Sequence, residues 1–103
     1  MCDEEKVIER INKLIEKAGE VLKTHDPNAG LGVADVDQAL FYEWRTQVLN
    51  FLVTLLGKDS VYFQEFDKKV RGALGYQVKV GQGILRGLKE DIENGYIELS
   101  KDP

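Results

Sequence analysis

The chain is predicted to fold as an all-α, four-helix, bundle-like domain with its second helix, about residues 35–56, at the centre. Three observations predict it. Apolar residues recur at spacings of three and four in separate stretches, which is the helical period. Clusters of Gly, Pro, Asn and Asp punctuate those stretches. A single short alternating run, Tyr76 to Val80, has no second strand to pair with. The 103 residues make one domain, spanning 1–103, with helices at about 3–23, 35–56, 60–71 and 77–94 and a short tail at 95–103.

Helix one starts after Asp3, an N-cap residue, and carries Val7, Ile11, Leu14, Ala18 and Val21 on one stripe with Ile8, Ile15 and Leu22 beside it. Glu9 and Lys13 form an exposed pair of the favourable order. A stripe of under three heptads suits packing within a domain better than a long coiled coil. Asp26-Pro27-Asn28 then opens a turn, and Gly30 and Gly32 loosen the loop that follows.

Helix two starts at Asp35 or Asp37, both good caps, and stops at Gly57. Its polar positions Glu43, Gln47, Asn50 and Thr54 form a narrow stripe. Most of the rest is apolar: Leu40, Phe41, Trp44, Val48, Leu49, Phe51, Leu52, Val53, Leu55 and Leu56. A helix apolar over most of its circumference is expected to be buried on more than one side.

Asp59-Ser60 caps a peripheral third helix, with Tyr62, Phe63, Phe66 and Val70 on its inner stripe, and Gly72 and Gly75 mark its end. Tyr76, Val78 and Val80 alternate as a strand does. Tyr76, Val80, Ile84, Leu88 and Ile92 also recur every four residues, and the helical reading prevails because a lone strand has no partner. Asn94-Gly95 stops this fourth helix. Four short helices are expected to leave part of helix one's stripe, or Ile97 and Leu99 in the tail, open to a second copy or another domain.

Composition excludes several functions. Hydrophobic residues are 43% and charged residues 31%, ordinary for a soluble globular protein. The net charge of −4 argues against a general DNA binder. One cysteine, Cys2, forms no internal disulfide, so a reducing, cytoplasmic setting is expected. The acidic start, Asp3-Glu4-Glu5, is unlike a secretory signal. The most apolar stretch, Phe51 to Leu56, is far short of the roughly 20 residues of a membrane span.

Charge is unevenly spread. Lys68, Lys69, Arg71, Lys79, Arg86 and Lys89 fall in a segment that has five glycines and no acidic residue, while all 18 acidic residues lie outside it. Exposed backbone N–H groups and fixed positive charges together hold anions. Lys79, Gly81, Gly83 and Arg86 are therefore the candidate anion-binding residues, for a nucleotide, RNA or an acidic protein surface. The run Gly81-Gln82-Gly83-Ile84-Leu85-Arg86-Gly87 departs from a dinucleotide fingerprint, because the sixth position is Arg86 and no βαβ unit surrounds it. The structural alternative is a Gly83/Gly87 face where another helix approaches closely.

Other chemistry fails on its own terms. Asp26, Asn28 and Asp37 fit positions of a calcium loop, but Gly30 stands where a ligand is wanted and Leu31 where the loop needs glycine. His25 is the only histidine, and neither Ser60 nor Ser100 lies in a nucleophile motif. One His and one Cys supply too few such ligands for a zinc site within one chain. Glu90, Asp91 and Glu93 are expected on the wet side of helix four, whereas acid–base catalysis favours a cleft. No catalytic residue, metal or cofactor is assigned. Trp44, Phe41, Phe51, Tyr62, Phe63 and Phe66 are expected in the core.

Glu43-Trp44-Arg45-Thr46-Gln47-Val48-Leu49-Asn50-Phe51-Leu52 and Gly83-Ile84-Leu85-Arg86-Gly87-Leu88-Lys89-Glu90-Asp91-Ile92-Glu93-Asn94-Gly95-Tyr96 resemble a helical N-terminal module of uncharacterised bacterial and archaeal proteins. Some of those resemble phage-defence effectors. The resemblance spans about residues 35–97 and rests on packing motifs. It implies a module that joins, positions or dimerises an effector. The expectation from sequence is thus a non-enzymatic interaction or oligomerisation module with a protein partner or a second copy. Anion binding through residues 68–89 is the alternative, and no membrane contact is expected.

Overall fold

The computed structural model describes residues 3–31, 33–97 and 99, and four helices account for its regular structure. Among the described residues there is no strand, and 76–80 belongs to a helix. Helix α1 (Glu4–Leu22) begins at Asp3, whose carboxylate accepts from Glu5 N–H at 3.0 Å. Helix α2 (Gln38–Leu56) is capped by Asp37, which accepts from Leu40 N–H at 2.8 Å. Helix α3 (Val61–Lys69) is capped by the Ser60 hydroxyl. Helix α4 (Gly75–Glu93) ends at Asn94-Gly95.

The stop signals work as their chemistry requires. Gly95 adopts φ 75°, where a side chain would be strained. Its N–H donates to Ile92 O at 3.2 Å, and Tyr96 N–H donates to Asp91 O at 2.8 Å. That pair of bonds is a Schellman closure. Gly57 ends α2 at φ 88°.

The helices run alternately up and down in a ring, each packed on two neighbours, and α1 closes the ring against α4. Cross-links fix the antiparallel senses. Leu14 faces Trp44, Arg45 faces Val70, Tyr62 faces Asp91, and Ile15 faces Gln82. The core lies on the ring's axis: Ile11, Leu14, Ala18 and Val21 from α1, Phe41, Trp44, Val48 and Leu52 from α2, Phe66 from α3, and Val78, Leu85, Leu88 and Ile92 from α4. Val36, Val70 and Ala73 from the connections complete it.

One residue of α2 reaches across the ring's axis. Trp44 is fully buried, and its indole N–H donates to Leu14 O of α1 at 2.9 Å. Its ring meets Phe66 of α3 edge-on at 5.5 Å between centroids. It also fills the space above Gly81 of α4, where a Cβ would come within 2.7 Å of Trp44 Cη2 and 2.8 Å of Phe66 Cε2. One side chain thus touches all three other helices.

The structure corrects several expectations. On α2, Phe41, Trp44, Val48 and Leu52 are fully buried, while Leu40, Leu49, Phe51, Leu55 and Leu56 pack on the core only partly buried. Helix α3 is shorter than 60–71, and α4 starts two residues before 77. Asp35 caps no part of α2. The close helix approach is at Gly81 rather than at Gly83 and Gly87, over both of which the space is open. On the stripe of α1, Val7, Ile8, Ile15 and Leu22 pack on the core and stay partly exposed, as do Ile97 and Leu99. Cys2, Gly32, Ser100 and the rest of the tail lie outside the described residues.

Candidate interaction surface

The four candidate anion residues all lie on α4, and the helix divides them. Residues 79, 83 and 86 follow the helical spacing, so Lys79, Gly83 and Arg86 share the exposed side, while Gly81 is buried on the opposite one. Inside a helix, backbone N–H groups bond to carbonyls four residues back. Gly81 and Gly83 are therefore part of a helix rather than of a loop that presents free donors. Of the remaining basic residues, Lys68 and Lys69 end α3, where cations favour the helix dipole, and Lys69 lies 3.6 Å from Glu65. Arg71 is in the α3–α4 connection, and Lys89 is half-buried. The segment is spread along two helices rather than gathered into one patch.

The free end of α4 already has its anion. Asp35 Oδ1 accepts from Gly75 N–H at 2.7 Å, and Asp35 N–H donates to Ala73 O at 3.0 Å. Gln77 and Val78 N–H groups donate to Leu74 O. His25 Nε2 lies 3.6 Å from Asp35 Oδ2. These residues, with Leu22, Tyr76 and Lys79, line an open cleft of about 390 Å³. A carboxylate of the chain's own thus occupies the position where an external anion would profit from the helix dipole.

His25 faces Asp35, and among the described residues no group of three His, Cys, Asp or Glu gathers that would hold a metal ion. Asp91 is half-buried and accepts from the Tyr62 hydroxyl, which ties α4 to α3 rather than leaving it on the wet side with Glu90 and Glu93. No described helix is long and apolar enough to cross a membrane.

The outward side of α2 differs from those of the other helices in its lack of charge. This helix has only two charged residues, Glu43 and Arg45. Both are engaged within the chain. Glu43 pairs with Lys17 of α1, whose Nζ also donates to Gln47 at 2.8 Å. Arg45 donates through Nε to Val70 O at 2.5 Å and through its guanidinium to Asp67 Oδ1 at 3.2 Å. From Thr46 to Gly57 there is no charge at all. Along that stretch Thr46, Asn50 and Thr54 are exposed, and Leu49 and Val53 are half-buried. Tyr42 leads into the same face at 48% exposure. The outward sides of the other helices carry charge: Glu9, Lys13, Glu16 and Glu20 on α1, Asp67 and Lys68 on α3, and Lys79, Arg86 and Glu90 on α4.

A second, smaller groove of about 230 Å³ runs between α3 and α4, lined by Val61, Tyr62, Glu65, Ile84 and Gly87. The α2 face was recoverable from the sequence in one respect, the gap in charge between Arg45 and Lys58. Its exposure was not, because the apolar residues there read as core.

No family model, no curated protein and no solved structure matches this chain.

Proposed function

We propose that this domain is a non-enzymatic interaction module and that its contact surface is the outward face of α2. One observation carries the reading. In a chain with 31% charged residues, the exposed side of one helix has no charge over Thr46–Gly57 and leaves Leu49 and Val53 half open. Depletion of charge at the centre, with apolar and neutral polar groups, is the compositional mark of an interface core.

The test is a photo-reactive residue at Asn50, with a control at Glu16 on the outward side of α1, in the full chain expressed in the cells that make it. A cross-linked species at Asn50 and none at Glu16 is expected. No cross-link at Asn50 above the control overturns the reading.

Anion binding is the second reading, and one observation favours it. Lys79 and Arg86 lie on the same exposed side of α4, and neither is within ion-pair distance of a carboxylate among the described residues.

A further inference from the structure

The pair that stops α4, Asn94-Gly95, is also the chain's only asparagine followed by glycine. Asn12 precedes Lys13, Asn28 precedes Ala29 and Asn50 precedes Phe51. Glycine leaves the peptide nitrogen after an asparagine unshielded and its backbone free to turn. We propose that Asn94 is a self-modification site. Its side-chain amide converts to a carboxylate through attack by the Gly95 nitrogen, and the folded end of α4 holds the reaction off until that end opens.

The step balances with the chain and water alone. The Gly95 nitrogen gives up its proton and bonds to Asn94 Cγ. The Cγ–Nδ2 bond breaks, and the amide nitrogen leaves with that proton as ammonia. The product is a cyclic imide. Water opens the ring at either carbonyl, leaving an aspartate or an isoaspartate whose main chain runs through the side-chain carbon. Nothing is oxidised or reduced.

The geometry of the cap opposes this step. Asn94 and Gly95 are both exposed, so water and base reach them. The Gly95 N–H, however, donates to Ile92 O at 3.2 Å, and Asn94 Nδ2 donates to Glu90 O at 2.9 Å. At ψ 5° the Gly95 nitrogen eclipses the backbone nitrogen of Asn94. Ring closure needs it eclipsed with Cβ instead, so the cap must come apart before the bond can form. Opening one helix end is a local event, well below global unfolding in free energy.

Once made, the change is not reversed when the helix end closes. A carboxylate at position 94 has no N–H to offer Glu90 O. It also adds negative charge at a helix C-terminus beside Glu90 and Glu93, with no basic residue in the last turn. The tail that follows places Ile97 and Leu99 against the core, and modification at Asn94 loosens that contact.

Incubating the full chain in warm, mildly alkaline buffer, with and without guanidinium chloride, tests this by peptide mass mapping. In denaturant Asn94 is expected to convert at least about tenfold faster than Asn12, Asn28 or Asn50, and in the native chain at least about tenfold more slowly than in denaturant. Tyr96→Pro removes the N–H that bonds Asp91 O and leaves Asn94-Gly95 intact, and it is expected to bring the native rate toward the denatured one. Asn94→Asp, which mimics the aspartate product, is expected to exchange the Gly95 and Tyr96 amides with solvent faster than wild type.

An Asn94 that converts no faster in denaturant than the other three asparagines overturns the site. Equal native and denatured rates, or a folded Tyr96→Pro variant that converts as slowly as wild type, overturn the gate. If Tyr96→Pro does not fold, the wild-type ratio decides it. Unchanged exchange in Asn94→Asp overturns the loosening of the tail.

Discussion

Asp35 caps helix α4 from outside it: its Oδ1 accepts a 2.7 Å hydrogen bond from the N–H of Gly75, 40 residues along the chain. The preceding residue, Leu74, has no side chain able to do this. The same Asp35 accepts from Asp26 N–H through its carbonyl at 2.7 Å and donates its own N–H to Ala73 O. One residue therefore pins the long α1–α2 loop to the α3–α4 connection. Asp35→Ala is expected to lower stability by about 1–2 kcal/mol, the upper range for loss of a cap, and no less than Asp37→Ala. Urea unfolding measures both, and faster hydrogen exchange at Gly75 identifies the cause. Coincident midpoints for Asp35→Ala and wild type would show that the tertiary cap contributes nothing.

Two glycines two residues apart on α4 should respond oppositely to alanine. Alanine in a helix interior is favoured over glycine by about 1 kcal/mol, and Gly83 has open space above it. Gly83→Ala is expected to stabilise by about 0.5–1 kcal/mol. At Gly81 the new methyl meets the buried rings of Trp44 and Phe66, and Gly81→Ala is expected to destabilise by about 1–3 kcal/mol. Urea midpoints moving in the same direction would refute the packing described for Trp44.

Leu52 is fully buried on the inward stripe of α2. Leu52→Ala is expected to cost about 2–5 kcal/mol through lost burial and the cavity left behind. An unchanged urea midpoint would mean that α2 does not form the centre of the core.

Arg45 holds the C-terminal end of α3. Its guanidinium reaches the carbonyls of Val70 and Asp67 and the Asp67 carboxylate, with its side chain only 18% exposed. Arg45→Met keeps the stem and removes the donors. It is expected to cost about 1–3 kcal/mol, the range for hydrogen bonds to a charged group. Arg45→Lys should recover only part of that, because an ammonium lacks the fork that reaches two carbonyls. Thermal unfolding of the pair is sufficient, and full recovery by lysine would contradict the geometry.

Lys79 and Arg86 decide the anion reading. Titrations with RNA, heparin and nucleotides in low salt are expected to show at most weak binding. In the Lys79→Gln/Arg86→Gln variant the salt slope should fall by up to about two, if both side chains meet nucleic-acid phosphates. Tight wild-type binding at physiological salt, lost in the variant, would make anion binding the function.

The helices, their caps at Asp3 and Ser60, and their stops at Gly57 and Asn94-Gly95 follow from the sequence alone, which for α2 offers Asp35 and Asp37 equally. Those features depend on residues within one or two turns, and local hydrogen bonding and backbone sterics decide them. Segment 76–80 reads as strand or helix, with helix favoured because its four-residue recurrence continues through Ile92 and the sequence offers no second strand-like run, and it lies in α4. Tertiary structure decided what local chemistry does not contain. It gave Asp35 to α4 rather than to α2, because a carboxylate caps whichever free N–H comes within reach. It chose Gly81 over Gly83 and Gly87 for close packing, because only Gly81 faces the rings of Trp44 and Phe66. It left one side of α2 open, because a ring of four helices covers the inward stripe of each and its two flanks, and apolar content alone does not say how many neighbours a helix will have.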